Sequence, residues 1–169
     1  MEILIAEDDI DTGHAFRMAL EDRGHNVLIT ENGEHCLEIY NERLQNIWLN
    51  HLSGNIQPFD VIVLDYKMPK IKGLDVAKEV LSIYPRQRIL VVSAYLSVLE
   101  ESARQFLEHH VEVLQKPVSK QTLIDTIEDK PIYSELEKLG MDTNVVKAAN
   151  FTHSQLLILL DFLRKRNKK

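Results

Sequence analysis

Two short apolar segments of the sequence each end in carboxylates, which can bind cations or act as nucleophiles. Residues 61–64 lead directly into Asp65, and residues 3–6 lead into the acidic run 7–9. Short apolar runs of this kind are typical of strands buried in a parallel sheet, whose carboxyl ends bind ligands. A single aspartate there could equally cap a turn. Three or four carboxylates meeting at one edge, however, would repel one another unless a cation were bound.

Two further apolar segments end in groups that suit an anion. Residues 88–93 end in the hydroxyl of Ser93, and residues 111–115 are followed by the ammonium group of Lys116. Taken alone, Ser93 could bond to nearby backbone and Lys116 could be a solvated surface lysine. Taken together, the four predicted strand ends supply, in chain order, the acidic run 7–9, the carboxylate of Asp65, the hydroxyl of Ser93 and the ammonium group of Lys116.

The pattern between these segments predicts strands that alternate with helices. The expected strands cover 2–6, 26–30, 60–65, 88–93 and 111–115, and the expected helices cover 10–23, 33–52, about 74–81, 97–109 and 119–129. Five such repeats require right-handed crossovers and predict an α/β fold with a doubly wound, five-stranded parallel sheet. The strand order does not follow from the pattern.

The composition limits the protein class. The chain has 169 residues, 44% of them hydrophobic, which suits one globular domain with a small appendage. Its net charge of −6 argues against non-specific nucleic-acid binding by the whole chain. The single cysteine, Cys36, suits a reducing cytoplasm and is interpreted as a small buried apolar side chain. No stretch has the length of a membrane span or signal peptide, so a cytoplasmic protein without a membrane partner is expected.

The residues at the predicted strand ends resemble, in order and rough spacing, those of the receiver domain of two-component response regulators. The resemblance covers about residues 1–129 and rests on Glu7-Asp8, Asp65-Tyr66-Lys67-Met68-Pro69, Gly73, Ser93-Ala94 and Lys116-Pro117. It implies the flavodoxin-like strand order 2-1-3-4-5. That order places the first and third strands side by side, with their carboxylates in one crevice.

The crowded carboxylates would be relieved by a hard divalent cation with oxygen ligands, for which Mg²⁺ is the natural choice. The resemblance implies that its ligands are Asp8, Asp65 and the backbone carbonyl of Lys67, with Glu7 acting through water. Asp9 is instead expected to begin the following helix.

The resemblance also implies that Asp65 is the phosphoacceptor. Lys116 would offset the charge on the phosphoryl oxygens, and Ser93 would donate a hydrogen bond to one of them. A cis peptide bond is expected between Lys116 and Pro117. The protein is thus expected to assist its own phosphorylation and dephosphorylation, without being an enzyme that acts on other substrates.

Two features concern regulation. Val113 occupies a switch position where the family usually has an aromatic ring, so signalling through Ser93 would lack the usual aromatic partner. Lys67 and Tyr95 lie two residues beyond Asp65 and Ser93, where receiver residues control the access of hydrolytic water. Their bulk predicts a slowly decaying aspartyl phosphate.

The connection between the second and third predicted strands is about a dozen residues longer than a crossover needs, and the surplus lengthens the second predicted helix. The surplus carries Leu44, Ile47, Trp48 and Leu52. These side chains could cover more of the protein's own body or form a ridge for a partner, and the first interpretation is preferred.

Residues 131–169 are expected to form a helical extension after a receiver domain at residues 1–130. Thr152 and Gln155 form a capping box, which makes His153 a surface residue next to the cap. Residues 156–163 are apolar nearly all round, so this helix should be buried against the receiver or against a second copy in a homodimer. A faint helix-turn-helix pattern precedes it, but Lys147 is the only cation of its would-be recognition segment, which argues against DNA binding.

The sequence therefore predicts a stand-alone response regulator of a phosphorelay, with a histidine kinase or phosphotransfer protein as donor and altered protein–protein contacts as output. The alternatives are a phosphorylation-independent interaction module with a receiver fold, and a DNA-binding regulator that uses the C-terminal helices.

Overall fold

A computed structural model describes residues 1–50, 57–94, 101–149 and 151–166. These residues belong to two compact units, Met1–Lys120 and Gln121–Lys169. The elements of the first unit are β1 (Glu2–Ala6), α1 (Ile10–Glu21), β2 (Asn26–Thr30), α2 (Gly33–Leu49), β3 (Val61–Asp65), α3 (Gly73–Ile83), β4 (Ile89–Ser93), α4 (Glu101–His110) and β5 (Glu112–Gln115). Those that follow are α5 (Lys120–Ile127), α6 (Lys130–Lys138), α7 (Thr143–Ala148) and α8 (His153–Arg166).

The five strands form one parallel sheet in the order β2-β1-β3-β4-β5, so the predicted fold class and strand order are confirmed. All residues of β3 and β4 are buried, as expected for strands covered on both faces. The edge strand β2 alternates more between buried and exposed positions. The apolar runs that predicted the central strands therefore form the middle of the sheet.

The first helix illustrates how local sequence sets an element's ends. The side chain of Asp9 accepts a hydrogen bond from the backbone N–H of Thr12 at 2.7 Å, which caps α1 as predicted. Gly24, which follows α1, has a φ of +81°. That conformation suits glycine and turns the chain toward β2.

The C-terminal part of α2 is only partly covered. Leu44 is buried, as expected if the helix covers its own body, but Trp48 is 64% exposed. The covering interpretation is therefore wrong for Trp48, whose side chain is largely open to solvent, whereas Ile47 is half-buried. Leu52 lies outside the described residues. Cys36, in the first half of α2, is fully buried, and burial raises the pKa of its thiol to about 12, which confirms its apolar role.

The second unit has a small core of its own between α6, α7 and α8, formed by Leu136, Val146, Leu156, Leu160 and Leu163. Within one chain α8 is not buried all round, so its expected burial against the receiver or a second copy stays a prediction. Ile158 and Phe162 are 70% and 61% exposed, because the neighbouring helices cover one side of α8 only. The capping box is confirmed: Thr152 N–H donates to Gln155 Oε1 at 2.9 Å, and Gln155 N–H donates to Thr152 Oγ1 at 3.3 Å.

His153 is not the surface residue that the sequence predicted. Its Nδ1 lies 2.7 Å from Oδ1 of Asp129, and both side chains are largely buried. Asp129 precedes α6 in a left-handed conformation with φ 58°. This pair therefore joins the start of α6 to the start of α8.

The two compact units meet between residues 120 and 121, so nearly all of α5 belongs to the second unit. This boundary lies ten residues before the predicted receiver limit at 130. The limit at 130 stays a prediction. Within the described part of the chain, no helix is long and apolar enough to cross a membrane.

Candidate functional site

Four predicted site residues lie at the carboxyl edge of the sheet because their strands are parallel. Glu7 follows β1, Asp65 ends β3, Ser93 ends β4, and Lys116 follows β5. The register places Ala6 beside Leu64 and Asp65 beside Val92. The ends of β1 and β3 are therefore neighbours, as the strand order implied.

The carboxylates of Glu7, Asp8 and Asp65 converge. One oxygen atom from each lies within 4.8 Å of the others. Glu7 and Asp65 are buried, whereas Asp8 is exposed. Asp9 takes no part in this cluster, in agreement with its expected role as a helix cap. Three crowded oxygen ligands of this kind suit a hard divalent cation such as Mg²⁺.

Lys116 links the two buried carboxylates. Its Nζ lies 2.9 Å from Oε2 and 3.2 Å from Oε1 of Glu7, and 3.2 Å from Oδ1 of Asp65. Burial alone would lower the pKa of Lys116, but the hydrogen bonds and charges of Glu7 and Asp65 raise it overall. The ammonium group therefore stays charged at neutral pH beside the predicted phosphoacceptor.

The pKa values of Glu7 and Asp65 are raised despite the neighbouring ammonium group of Lys116. Burial raises the pKa of Asp65, and the charge of Asp8 adds to that effect, while Lys116 and the backbone N–H of Lys67 oppose it. Burial likewise raises the pKa of Glu7, against the hydrogen bond from Lys116. Additional positive charge at this edge would therefore favour the ionised forms.

Two glycines allow the loop after β3 to pack closely against neighbouring backbone, because neither position has room for a side chain. A Cβ atom on Gly73 would lie 2.1 Å from the backbone oxygen of Asp65, and one on Gly33 would lie 2.2 Å from the backbone oxygen of Ile71. Lys70, in a left-handed conformation with φ 63°, also makes an ion pair with Glu34 at the start of α2. The loop that contains Lys67 is thus fixed at both ends.

Sequence reasoning included Gly73 but missed Gly33 and the Lys70–Glu34 pair. Gly33 follows the α2 cap, where no local pattern demands a glycine. Its close contact with Ile71 joins segments that are distant in the sequence, so only the tertiary structure reveals it.

The remaining predicted site residues differ in how deeply they are buried. Ser93 is fully buried, and its backbone oxygen accepts a hydrogen bond from Lys116 N–H at 2.9 Å. Val113 is half-buried on β5 and packs against the main core. The Lys116–Pro117 peptide bond is cis, as predicted. Lys67 is exposed, and Tyr95 lies outside the described residues.

The sequence model of the response regulator receiver domain matches residues 3–128 of this chain. The chain belongs to the receiver-domain family of response regulators. The family match covers the five strands, apart from Glu2 at the start of β1, and the whole candidate site. It also confirms the family that the sequence motifs indicated.

Individual relatives agree with this assignment. The chain is 29% identical over 126 residues to the response regulator receiver protein CpdR of Brucella abortus, covering 75% of this chain and 92% of CpdR. It is 25% identical over 151 residues to the transcriptional regulatory protein ZraR of Escherichia coli O157:H7. That match covers 89% of this chain but only 30% of ZraR, so the chain spans less than a third of that relative's length.

Solved receiver structures have the same fold. A receiver domain protein from Clostridium thermocellum is 26% identical with a TM-score of 0.61, over 83% of this chain and 98% of that one. The response regulator TrrA from Thermotoga maritima, solved in complex with Mg²⁺-BeF, is 25% identical with a TM-score of 0.54, over 76% of this chain and 96% of TrrA.

Proposed function

We propose that this receiver accepts a phosphoryl group on Asp65 in an Mg²⁺-dependent reaction. The donor is a phosphohistidine of a histidine kinase or phosphotransfer protein, and the output is a change in protein–protein contacts. The observation that carries the proposal is the position of Lys116 Nζ, 3.2 Å from Asp65 Oδ1, beside three carboxylates within 4.8 Å of one another.

The chain's own residues have distinct roles in this proposal. A carboxylate oxygen of Asp65 attacks phosphorus, and the bond between phosphorus and the donor imidazole breaks with its electron pair returning to the imidazole. Lys116 balances negative charge on the transferred group, and Ser93 donates a hydrogen bond to one of its oxygens. The protein is a phosphoacceptor that assists this transfer and the later hydrolysis, not an enzyme acting on other substrates.

The acidic cluster fits Mg²⁺ as the resident cation. Asp8, Asp65 and the backbone carbonyl of Lys67 would hold it, with Glu7 acting through water. When bound, the ion supplies positive charge that reduces repulsion between the carboxylates and the phosphoryl oxygens. The complex of TrrA with Mg²⁺-BeF supports this assignment by similarity.

No observation favours DNA binding as a second function. The match to the transcriptional regulator ZraR covers less than a third of that protein. In this chain α7 has six residues, and its one cation, Lys147, lies 5.1 Å from the centre of the Tyr133 ring. The alternative is a phosphorylation-independent interaction module, and the following experiment distinguishes the two. The cytoplasmic location stays a prediction.

The proposal is tested by incubating the full chain with Mg²⁺ and acetyl phosphate and measuring its intact mass. We expect a gain of one phosphoryl group that depends on Mg²⁺ and is absent from the Asp65→Asn variant. Asp9→Asn is a matched control, because it makes the same change outside the cluster, and it should be phosphorylated like the wild type. A wild-type chain that gains no mass would favour the phosphorylation-independent module.

A further inference from the structure

The loop between β3 and α3 makes a tight turn at Lys70. Lys70 has a φ of 63°, which is unusual for a residue other than glycine. The backbone N–H of Ile71 donates a hydrogen bond to the backbone oxygen of Pro69 at 2.9 Å. A hydrogen bond that spans one residue of positive φ marks the rarer, strained form of the γ-turn. Such a conformation persists only where its surroundings hold it in place.

The first turn of α2 supplies the contacts that hold this turn. Nζ of Lys70 lies 2.5 Å from Oε2 of Glu34. Glu38, one helical turn further along α2, adds to the negative charge that raises the pKa of Lys70. Gly33 packs so closely that a Cβ atom there would lie 2.2 Å from the backbone oxygen of Ile71. The chain at 70–71 is therefore held against the start of α2.

The other end of the same loop borders the acidic cluster. The backbone N–H of Lys67 donates a hydrogen bond to the carboxylate of Asp65, so this part of the loop lies at the proposed cation site. Only Met68 and Pro69 separate Lys67 from Lys70. The side chain of Met68 is buried in the main core, and the ring of Pro69 fixes its own φ. A change in the turn at Lys70 would therefore be passed to Lys67 through a short, stiff segment.

We propose that the ion pair between Lys70 and Glu34 positions this loop for Mg²⁺ and couples the cation site to α2. The pair holds the turn so that the backbone carbonyl of Lys67 stays within reach of the cation. Cation binding and formation of the pair then favour each other by the same factor, because coupling between two sites is reciprocal. The inference rests on the Mg²⁺ site proposed above. It adds two positioning residues that lie outside the acidic cluster.

Charge alone predicts the opposite effect for one of these two residues. If Lys70 acted only through its electric field, removing this cation would tighten the binding of Mg²⁺. Removing the anion of Glu34 would weaken binding by the same reasoning. If the pair positions the loop, however, the loss of either partner weakens binding. The sign of the effect at Lys70 therefore distinguishes positioning from simple electrostatics.

Calorimetric titration of the full chain with Mg²⁺ tests the proposal. Because exposed ion pairs are modest in strength, Lys70→Met and Glu34→Gln should each raise the dissociation constant about threefold. The variant with both changes should bind no more weakly than either single variant, because both changes remove the same pair. Exchanging the two charges, Lys70→Glu with Glu34→Lys, should restore most of the affinity. Lys72→Met is the matched control, since it removes an exposed lysine from the same loop, and it should not weaken binding.

Two results would overturn the inference alone: unchanged or tighter binding by Lys70→Met, or equal weakening by Lys72→Met. The proposed function stands in either case if Asp8→Asn still weakens the binding of Mg²⁺. A wild-type chain that binds no Mg²⁺ would instead overturn both. The substituted side chains lie on the surface, so each variant should fold.

Hydrogen exchange at the start of α2 tests the coupling in the reverse direction. The backbone N–H of His35 donates a hydrogen bond to the capping side chain of Asn32 at 3.0 Å, so its exchange reports on this turn. Saturating Mg²⁺ should slow that exchange about threefold in the wild type. The effect should be lost in Lys70→Met. Equal slowing in the wild type and in Lys70→Met would contradict the coupling.

Discussion

Replacing Gly73 with alanine tests whether close packing at the end of β3 holds the phosphoacceptor in place. A Cβ atom at this position would lie 2.1 Å from the backbone oxygen of Asp65 and 3.3 Å from Cβ of Leu64. The nearer atom belongs to the backbone of a strand that pairs with β4. It cannot move aside as the end of a side chain could, so either β3 or the start of α3 must shift.

The expected loss of stability follows from two opposing effects. Forcing an extra carbon atom into well-packed surroundings typically costs about 1–3 kcal/mol, and contact with backbone places Gly73 at the upper end of that range. Replacing a helical glycine with alanine returns roughly 0.5–1 kcal/mol. We therefore expect Gly73→Ala to lower the free energy of unfolding by about 2 kcal/mol. Phosphorylation should also slow, because Asp65 moves with its backbone.

The assay is urea unfolding, monitored by circular dichroism and by the fluorescence of Trp48, which lies in the first unit. Gly13→Ala is a matched control inside α1, because its new Cβ would meet no atom closer than 3.6 Å. The control should gain about 0.5–1 kcal/mol. A Gly73→Ala variant as stable as the Gly13→Ala variant would refute the packing argument.

Three further predictions concern charge and burial. Asp65→Asn should raise the free energy of unfolding at pH 7. Because the pKa of Asp65 is raised above 3.8 in the folded state, its carboxyl is protonated in both the folded and the unfolded chain below that pH. The difference in the free energy of unfolding between variant and wild type should therefore vanish as the pH falls below 3.8. A constant difference in urea unfolding across this range would contradict the pKa argument. Mg²⁺ binding, measured by calorimetry, should weaken at least about tenfold in Asp8→Asn but not in Asp9→Asn; equal affinities would remove Asp8 from the site. Tyr40→Phe should cost no stability and gain up to about 1 kcal/mol, because the buried Tyr40 hydroxyl has no hydrogen-bond partner among the described residues. A loss above about 1 kcal/mol would reveal an unrecognised partner of this hydroxyl.

The strands and the acidic cluster could be predicted because their signals are local. An apolar run that ends in Asp65 indicates both a buried strand and the place where it stops. The family motif then supplied the strand order, which the run alone did not determine. With that order, the meeting of Asp65 with Asp8 and Lys116 follows from parallel strands that end at one edge.

The errors concern what covers a residue, which a sequence pattern does not specify. The pattern of α8 indicated an apolar helix but not that α6 and α7 cover only one side, so the exposure of Ile158 was not predicted. His153 was read from its neighbours in the cap, whereas its partner Asp129 lies 24 residues away. Trp48 was assigned to a covering role, but its side chain is 64% exposed.

The most direct test of the central claim is to locate the phosphoryl group on the chain. After reaction with acetyl phosphate and Mg²⁺, borohydride reduction converts an acyl phosphate to an alcohol, which peptide mass spectrometry assigns to one residue. The account predicts that Asp65 alone is reduced, and that Lys116→Met lowers the yield without moving the site. Reduction at Glu7 or Asp8, or equal yields with and without Lys116, would contradict it.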